Sequence, residues 1–274
     1  MRLYFMIAVL STCCLRARAS TPLALKCLWS TYKSFKISAD RKDVIFPNGQ
    51  VLPFKNRHPE NNKIDRKNLT SIDQMFIAPY TPGFSADVHG KKTFPIPTFH
   101  DELRGSRYQK LFLSLYGSHQ KAIENNLVWV RWVDGSHVEF SKKYGASLAL
   151  QKVVKGLSRL LETHPEFRPY LRQPLGGAYE WRRIADQNNL SMHAFGVAID
   201  INTKYSDYWL WDAGPDHIPH YRNRIPPEIV EVFERNGFIW GGKWYHYDTM
   251  HFEFRPELIL SHATCEKEFE KYRD

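Results

Sequence analysis

Two short segments constrain the fold of this chain more than anything else in it. One runs Ser191-Met192-His193-Ala194-Phe195-Gly196-Val197-Ala198-Ile199-Asp200, the other Asp248-Thr249-Met250-His251-Phe252-Glu253. Side chains alternate between the faces of a strand, so a strand from Gly196 to Asn202 sends Val197, Ile199 and Ile201 one way and Ala198, Asp200 and Asn202 the other. A strand from Met250 to Phe254 turns Phe252 and Phe254 into a core and puts His251 and Glu253 on the opposite face. With those faces aligned, neighbouring strands bring Asp200 beside His251, and His193 reaches back from the loop before the first strand. Imidazole and carboxylate are donors that hold a zinc ion, and catalytic sites typically keep three protein ligands and an open fourth position. The candidate ligands are therefore His193, Asp200 and His251. Asp248 remains as an unligated carboxylate beside them, as a hydrolase needs.

The surroundings of this pair are regular. Val128-Trp129-Val130-Arg131-Trp132-Val133 alternates as a strand does, Asp134-Gly135 makes the turn, and Val138-Glu139-Phe140 returns as its partner. Between Ala146 and Thr163 the residues Leu148, Leu150, Val153, Val154, Leu157, Leu160 and Leu161 recur at intervals of three and four, which predicts an amphipathic helix closed by Pro165. Gly176-Gly177-Ala178-Tyr179 opens an extended stretch, and a further helix is expected over Pro227 to Asn236, ended by Gly237. The half before residue 127 is less periodic. It offers an Asn48-Gly49 hairpin between Val44 and Leu52, a charged loop from Lys55 to Lys67, an extended Phe94-Pro95-Ile96-Pro97, and a helix over Arg107 to Asn126 interrupted near Gly117.

The ends of the chain speak to where it works. Arg2, an apolar run from Leu3 to Leu10 and Ala17-Arg18-Ala19 predict an export signal cleaved after Ala19. No other apolar stretch reaches the length of a membrane span. The net charge of +9 falls to +6 once Arg2, Arg16 and Arg18 are removed, which suits a polyanionic partner such as nucleic acid or an anionic cell wall, specifying neither, or else a solvated surface. No basic stripe interleaved with aromatics points to nucleic acid. Cys13 and Cys14 leave with the signal, with a lipid on Cys13 as a weaker variant. In an oxidising compartment the remaining Cys27 and Cys265 either pair across the chain or stay as free thiols.

Ser-x-His-x-x-Gly-x-Ala-x-Asp followed by Asp-x-x-His-Phe-Glu resembles the zinc peptidases of bacterial cell walls, the VanY-type D-alanyl-D-alanine carboxypeptidases and L-alanyl-D-glutamate endopeptidases. The likeness runs from about Val128 to Pro256, through Gly176-Gly177-Ala178-Tyr179 and Phe238-Ile239-Trp240-Gly241-Gly242, and does not extend to residues 20–120. It implies an α+β fold, a small antiparallel sheet flanked by helices, with the zinc site shared by these peptidases and the hedgehog zinc domain. It implies Zn2+ on His193, Asp200 and His251, Asp248 as general base, and a substrate- and oxyanion-binding arginine at Arg182, with Arg183 the neighbouring alternative. An ion pair to Glu180 or Asp186 is the structural alternative for Arg182. Ser191 either bonds substrate or caps the turn before His193, and Glu253 either orients a ligand imidazole or is a solvated strand residue. His246, the pair His217 and His220, and the indoles Trp209, Trp211, Trp240 and Trp244 carry less weight, the last as groove or as core.

The expected organisation is a signal at 1–19, an extension at 20–124, a catalytic domain at 125–262 and a tail at 263–274. The expected partner is a peptidoglycan stem peptide, cleaved first as a carboxypeptidase substrate and next as an endopeptidase substrate. Two rivals are a zinc-bearing cell-wall-binding module without catalysis, against which Asp248 and Arg182 speak, and a nucleic-acid-binding protein with a structural zinc. The second needs a fourth ligand that the sequence does not offer.

Overall fold

A computed structural model describes residues 21–55, 65–78, 80–185, 187–211, 213–215 and 217–273. The expected signal at 1–19 with Cys13 and Cys14, most of the charged loop, and Asp186 lie outside the described residues.

The chain begins with helix α1 (Leu23–Tyr32) and a three-stranded antiparallel sheet, β1 (Lys36–Ile37), β2 (Asp43–Ile45) and β3 (Val51–Pro53). Ile45 faces Val51 across the Asn48-Gly49 turn, where Gly49 takes a φ of 83° open to a residue without Cβ. A small hairpin, β4 (Ser85–Ala86) and β5 (Lys92–Thr93), precedes α2 (Gln109–Tyr116) and α3 (Gln120–Glu124). The helix expected over Arg107 to Asn126 thus starts two residues later and breaks where Gly117 reaches φ 151°.

The predicted hairpin follows as β6 (Leu127–Arg131) and β7 (His137–Ser141), with Val130 opposite Val138. Helix α4 (Ala146–Thr163) matches the expected span, and it buries Leu150, Val153, Leu157 and Leu161, one stripe at helical spacing. The short helix α5 (Arg168–Leu171) leads to β8 (Leu175–Gly177) and then β9 (Ala198–Asn202). Helix α6 (Pro227–Glu234) is two residues shorter than expected, because the chain has already turned by Gly237 at φ 84°. After β10 (Phe238–Trp240) and β11 (His251–Phe254) come α7 (Pro256–Ile259) and α8 (His262–Arg273), so most of the expected tail is helical.

The architecture is α+β, as expected: helices around small antiparallel sheets. The sheet that matters for function has the order β10-β11-β9-β8 and is antiparallel throughout. Its apolar face packs on α6, where the Phe233 and Phe252 rings stack 3.8 Å apart. Val197, Ile199, Ile201, Phe252 and Phe254 are all buried, and so are the residues between them, since both faces of β9 and β11 are covered. Leu28, Val44, Met75 and Leu111 join the same apolar cluster as Ile199 and Phe252, so the N-terminal elements share this core.

Helices α1 and α8 bring the two ends of the chain together. The Cys27–Cys265 disulfide joins them, and Trp29 meets the Phe269 ring edge-on at 5.9 Å. Of the two outcomes open for these cysteines, the paired one is found. Among the described residues no helix is long and apolar enough to cross a membrane.

Candidate metal centre

Register places the centre. Asp200 of β9 lies directly opposite His251 of β11, and Gly177 of β8 is paired with Asp200 on its other side. Gly176 has to be glycine, since a Cβ there would come within 2.5 Å of the Asp200 Cβ. His193 sits in a 3-10 turn, Met192–Phe195, that Gly196 closes at φ 66°. That left-handed residue delays the strand, which starts at Ala198 rather than at the expected Gly196, and the delay folds His193 back over Asp200.

His193, Asp200 and His251 form the group of potential metal ligands found among the described residues, with donor atoms all within 4.8 Å of one another. His251 Nδ1 is 2.7 Å from Asp200 Oδ1 and 3.1 Å from His193 Nε2, which is 3.2 Å from Asp200 Oδ2. A tetrahedral cation with bonds of about 2.0–2.1 Å separates its ligands by roughly 3.3 Å. The outer nitrogens are fixed as a metal site requires. His193 Nδ1 is 2.6 Å from the Ala178 carbonyl and must donate to it, which leaves the Nε2 lone pair pointing inward. His251 Nε2 donates to Glu253 Oε1 at 3.0 Å, which frees Nδ1 once its proton leaves.

Charge is arranged to match. Burial would raise the Asp200 carboxyl, but His193 and His251 dominate and hold it well below the ordinary carboxylate range. Burial would lower His251, yet Asp200 and Glu253 outweigh it and lift the imidazole to about 10. Asp248 behaves in the opposite way to Asp200. Burial and then the negative Asp200 push it up to about 7, against the pull of His251, Arg104 and Arg182. Its Oδ1 is shielded from solvent and has no hydrogen-bond partner. Two neighbouring aspartates are thus driven apart, Asp200 toward the charged form and Asp248 toward the protonated one.

Glu253 is buried, not solvated, and it anchors a chain of ion pairs. It accepts from His251, Arg107 and Arg255. Burial opposes its ionisation, but Arg107, His251 and Arg255 keep its carboxyl far below normal. Arg255 also pairs with Glu257, which accepts from Tyr32 of α1 at 2.9 Å. A buried pair of this kind stabilises little in itself, but losing one partner costs about 3–5 kcal/mol because a charge is left stranded.

The cleft in front of the centre encloses about 290 Å³ and is lined by Arg104, Arg182, Ser191, Tyr208, Trp244 and Asp248, among others. Arg182 is at the wall, with its Nε bonded to Glu180 at 2.8 Å. Its neighbour Arg183 turns instead to the Asn188 carbonyl. Ser191 caps the turn by accepting from the His193 amide at 3.4 Å, while also lining the cleft. Trp211 and Trp244 face the cleft, whereas Trp209 and Trp240 are buried away from its lining. His246 is held by Glu102 and packs edge-on to Trp209. His217 and His220 take no part in the ligand group, and the His220 carbonyl accepts from Tyr247.

Three residues of the N-terminal half were not singled out by the sequence, namely Glu102, Arg104 and Arg107. Nothing in Arg104-Gly105-Ser106-Arg107 distinguishes it from other basic stretches in a chain with 38 lysines and arginines.

Residues 185–254, about a quarter of the chain, match a sequence family described as D-alanyl-D-alanine carboxypeptidase. The resemblance read from the two motifs holds over that span, which takes in Ser191, His193, Asp200, Asp248, His251 and Glu253. It starts well after Val128, and Arg182 falls just outside it. No curated protein and no solved structure matches the chain.

Proposed function

We propose that this protein is a zinc-dependent peptidase that hydrolyses peptidoglycan stem peptides, acting as a D,D-carboxypeptidase. The observation that carries the reading is the convergence of His193, Asp200 and His251 on one point, with an unpartnered Asp248 oxygen beside it. The family match over the same residues supports it.

The donor set of two imidazoles and one carboxylate suits zinc and leaves a coordination position for substrate or water. Zinc held there supplies Lewis-acid polarisation of the scissile carbonyl and a water acidified toward pKa 7. The protein's own groups do the rest. Asp248, whose carboxyl is raised in the metal-free protein by burial and by Asp200, takes the proton of the attacking water and returns it to the leaving amine. Arg182 at the cleft wall adds a charge-assisted hydrogen bond as negative charge builds on the carbonyl oxygen. Glu253 holds the His251 ring in place, and the Ala178 carbonyl does the same for His193.

Work in the periplasm or beyond belongs to the same reading. A disulfide between the ends of the chain supports it, since such bonds persist in oxidising compartments.

Metal analysis together with digestion of purified muropeptides tests the proposal. The wild type is expected to carry one zinc and to release D-alanine. Asp248→Ala is expected to keep the metal while kcat falls about 10²–10⁴-fold. Zinc content without cleavage of any D-amino-acid peptide, alongside retention of cell-wall fragments, would give the protein a binding role instead.

A further inference from the structure

The cleft holds a second set of groups that the peptidase reading does not use. Among the described residues eight buried side-chain nitrogen and oxygen atoms lack a hydrogen-bond partner, and four of them belong to residues lining this one cleft. They are Arg107 Nε and Nη1, Trp244 Nε1 and Asp248 Oδ1. Asp248 is accounted for by proton transfer. The other three are donors, two of them on one guanidinium.

Arg107 is 4% exposed and cannot shed its charge, although burial lowers its pKa. Nη2 is bound to Glu253 Oε1, the same oxygen that accepts from His251 Nε2 at 3.0 Å. The guanidinium therefore stands two hydrogen bonds from a ligand imidazole. The contrast with Arg255 is instructive, because that arginine pairs with both Glu253 and Glu257, lies over the Phe112 ring and is not in the cleft lining. Arg107 has one carboxylate, shared, and two unpartnered nitrogens, Nε and Nη1, at a cleft wall.

Arg104 lies three residues earlier, beyond the tight turn in which Arg107 N bonds the Gly105 carbonyl at 2.7 Å. Its guanidinium packs over the Trp209 ring at 5.7 Å, and its Nη2 contacts the Tyr208 hydroxyl at 3.3 Å and the Ala185 carbonyl at 3.2 Å. Gly105 takes a φ of 79°, the left-handed region that favours glycine, with the Gln187 amide packed against it. Glu102 fixes the start of the same segment by accepting from the His246 ring and amide. Two arginines are thus held rigidly on the side of the cleft that the family match at 185–254 does not reach.

We propose that Arg107 and Arg104 form a carboxylate-binding subsite for the terminal α-carboxylate of the substrate, restricting cleavage to the last peptide bond. A carboxylate has lone pairs for several N–H donors, and arginine's planar fork suits it better than any other side chain. The α-carboxylate of the leaving residue lies one residue from the scissile carbonyl, about 3.8 Å of chain. Arg107 reaches the cleft wall two hydrogen bonds from the His251 imidazole, through Glu253 Oε1. The inference rests on the peptidase reading for its substrate but stands on binding alone for its test.

Calorimetry on full-length, zinc-loaded Asp248→Asn, which stops turnover, compares three probes. They are N-acetyl-D-alanyl-D-alanine, its C-terminal amide, and an amidated N-acetyl-D-alanyl-D-glutamate whose only carboxylate is on the side chain. The free acid is expected to bind at least tenfold tighter than its amide. Adding Arg104→Met or Arg107→Lys is expected to bring that ratio toward one. Equal affinity for acid and amide overturns the proposal, as does a ratio unchanged in both arginine variants. Tighter binding of the amidated glutamyl peptide than of the free acid also overturns it, by moving the anion to a side chain. Should Arg107→Lys not fold, because Glu253 loses its full partner, the acid-to-amide ratio and the Arg104→Met variant decide. Muropeptides left intact while the acid is still preferred would sink the peptidase reading and leave the subsite standing.

Discussion

The two walls of the cleft are made in opposite ways. The wall from Ser191 to Phe254 is local: its ligands lie on two neighbouring strands and one turn, and residues 185–254 carry the family match. The wall from Glu102 to Arg107 is remote, reaching β11 across 146 residues of sequence through the Arg107–Glu253 pair. The first wall presents lone pairs inward and suits a cation. The second presents N–H donors and suits an anion. The contrast predicts that metal binding and anion binding can be disturbed separately, except at Glu253, which touches both walls.

The largest expected effect comes from the local wall. His193→Ala removes one of three candidate ligands, so stoichiometric metal and measurable activity are both expected to disappear, checked by metal analysis and muropeptide digestion on the purified variant. Metal content unchanged in that variant would break the ligand assignment and with it the contrast between the walls.

Glu253 is the joint between the walls, and Glu253→Gln tests whether they are coupled. It should cost about 3–5 kcal/mol in denaturant unfolding, because Arg107 and Arg255 lose a charged partner in a buried setting. Metal affinity should weaken about 10–100-fold as His251 loses its orienting carboxylate. A stable variant with native metal affinity would show that the walls are independent.

The remote wall is tied to the fold partly through the chain ends. Cys27→Ser with Cys265→Ser should lower unfolding free energy by about 2–4 kcal/mol, read from the shift in denaturation midpoint. Metal content should stay native, since neither cysteine approaches the ligands.

A last expected effect concerns pH in the metal-free protein. His251 has a folded pKa raised to about 10 from an ordinary value of 6.5. Its contribution to stability is complete below about 6.5 and is lost as pH rises through about 10. Glu253 has the reverse sign, being lowered, so its contribution is present above the ordinary value of 4.5 and fades on acidification. Stability of the chelated protein should therefore decline from pH 6.5 to 10, and zinc binding should release a proton across that range. Thermal melts at a series of pH values, with and without zinc, check both. A flat alkaline limb would mean that His251 is not protonated between its two carboxylates.

Much of the local wall was legible because its information is periodic and close in sequence. Alternation assigned Asp200 and Val197 to opposite faces, and a stripe of leucines and valines marked α4 to its end residues. The strand start at Gly196 was misread because a left-handed glycine and a strand glycine are the same letter, and only the closed 3-10 turn shows which it is. Ser191 was left between two roles, and the structure gives it both a capping bond and a place on the cleft. The arginines at 104 and 107 were invisible for a different reason. A surface arginine and one on a cleft wall carry the same side chain; burial and unpartnered nitrogens mark Arg107, and a place on the cleft lining marks Arg104.

What the sequence alone determined is the candidate ligand group, His193, Asp200 and His251, and the strand faces of Asp200 and His251. Those follow from residue type and from the two-residue period of a strand, which need no knowledge of the rest of the chain. What only the tertiary structure decided is the register that sets Asp200 opposite His251, the pairing of Cys27 with Cys265, and the delivery of Arg104 and Arg107 to the far wall. Contacts between residues so far apart in sequence depend on how the whole core closes, and no local pattern encodes that closure.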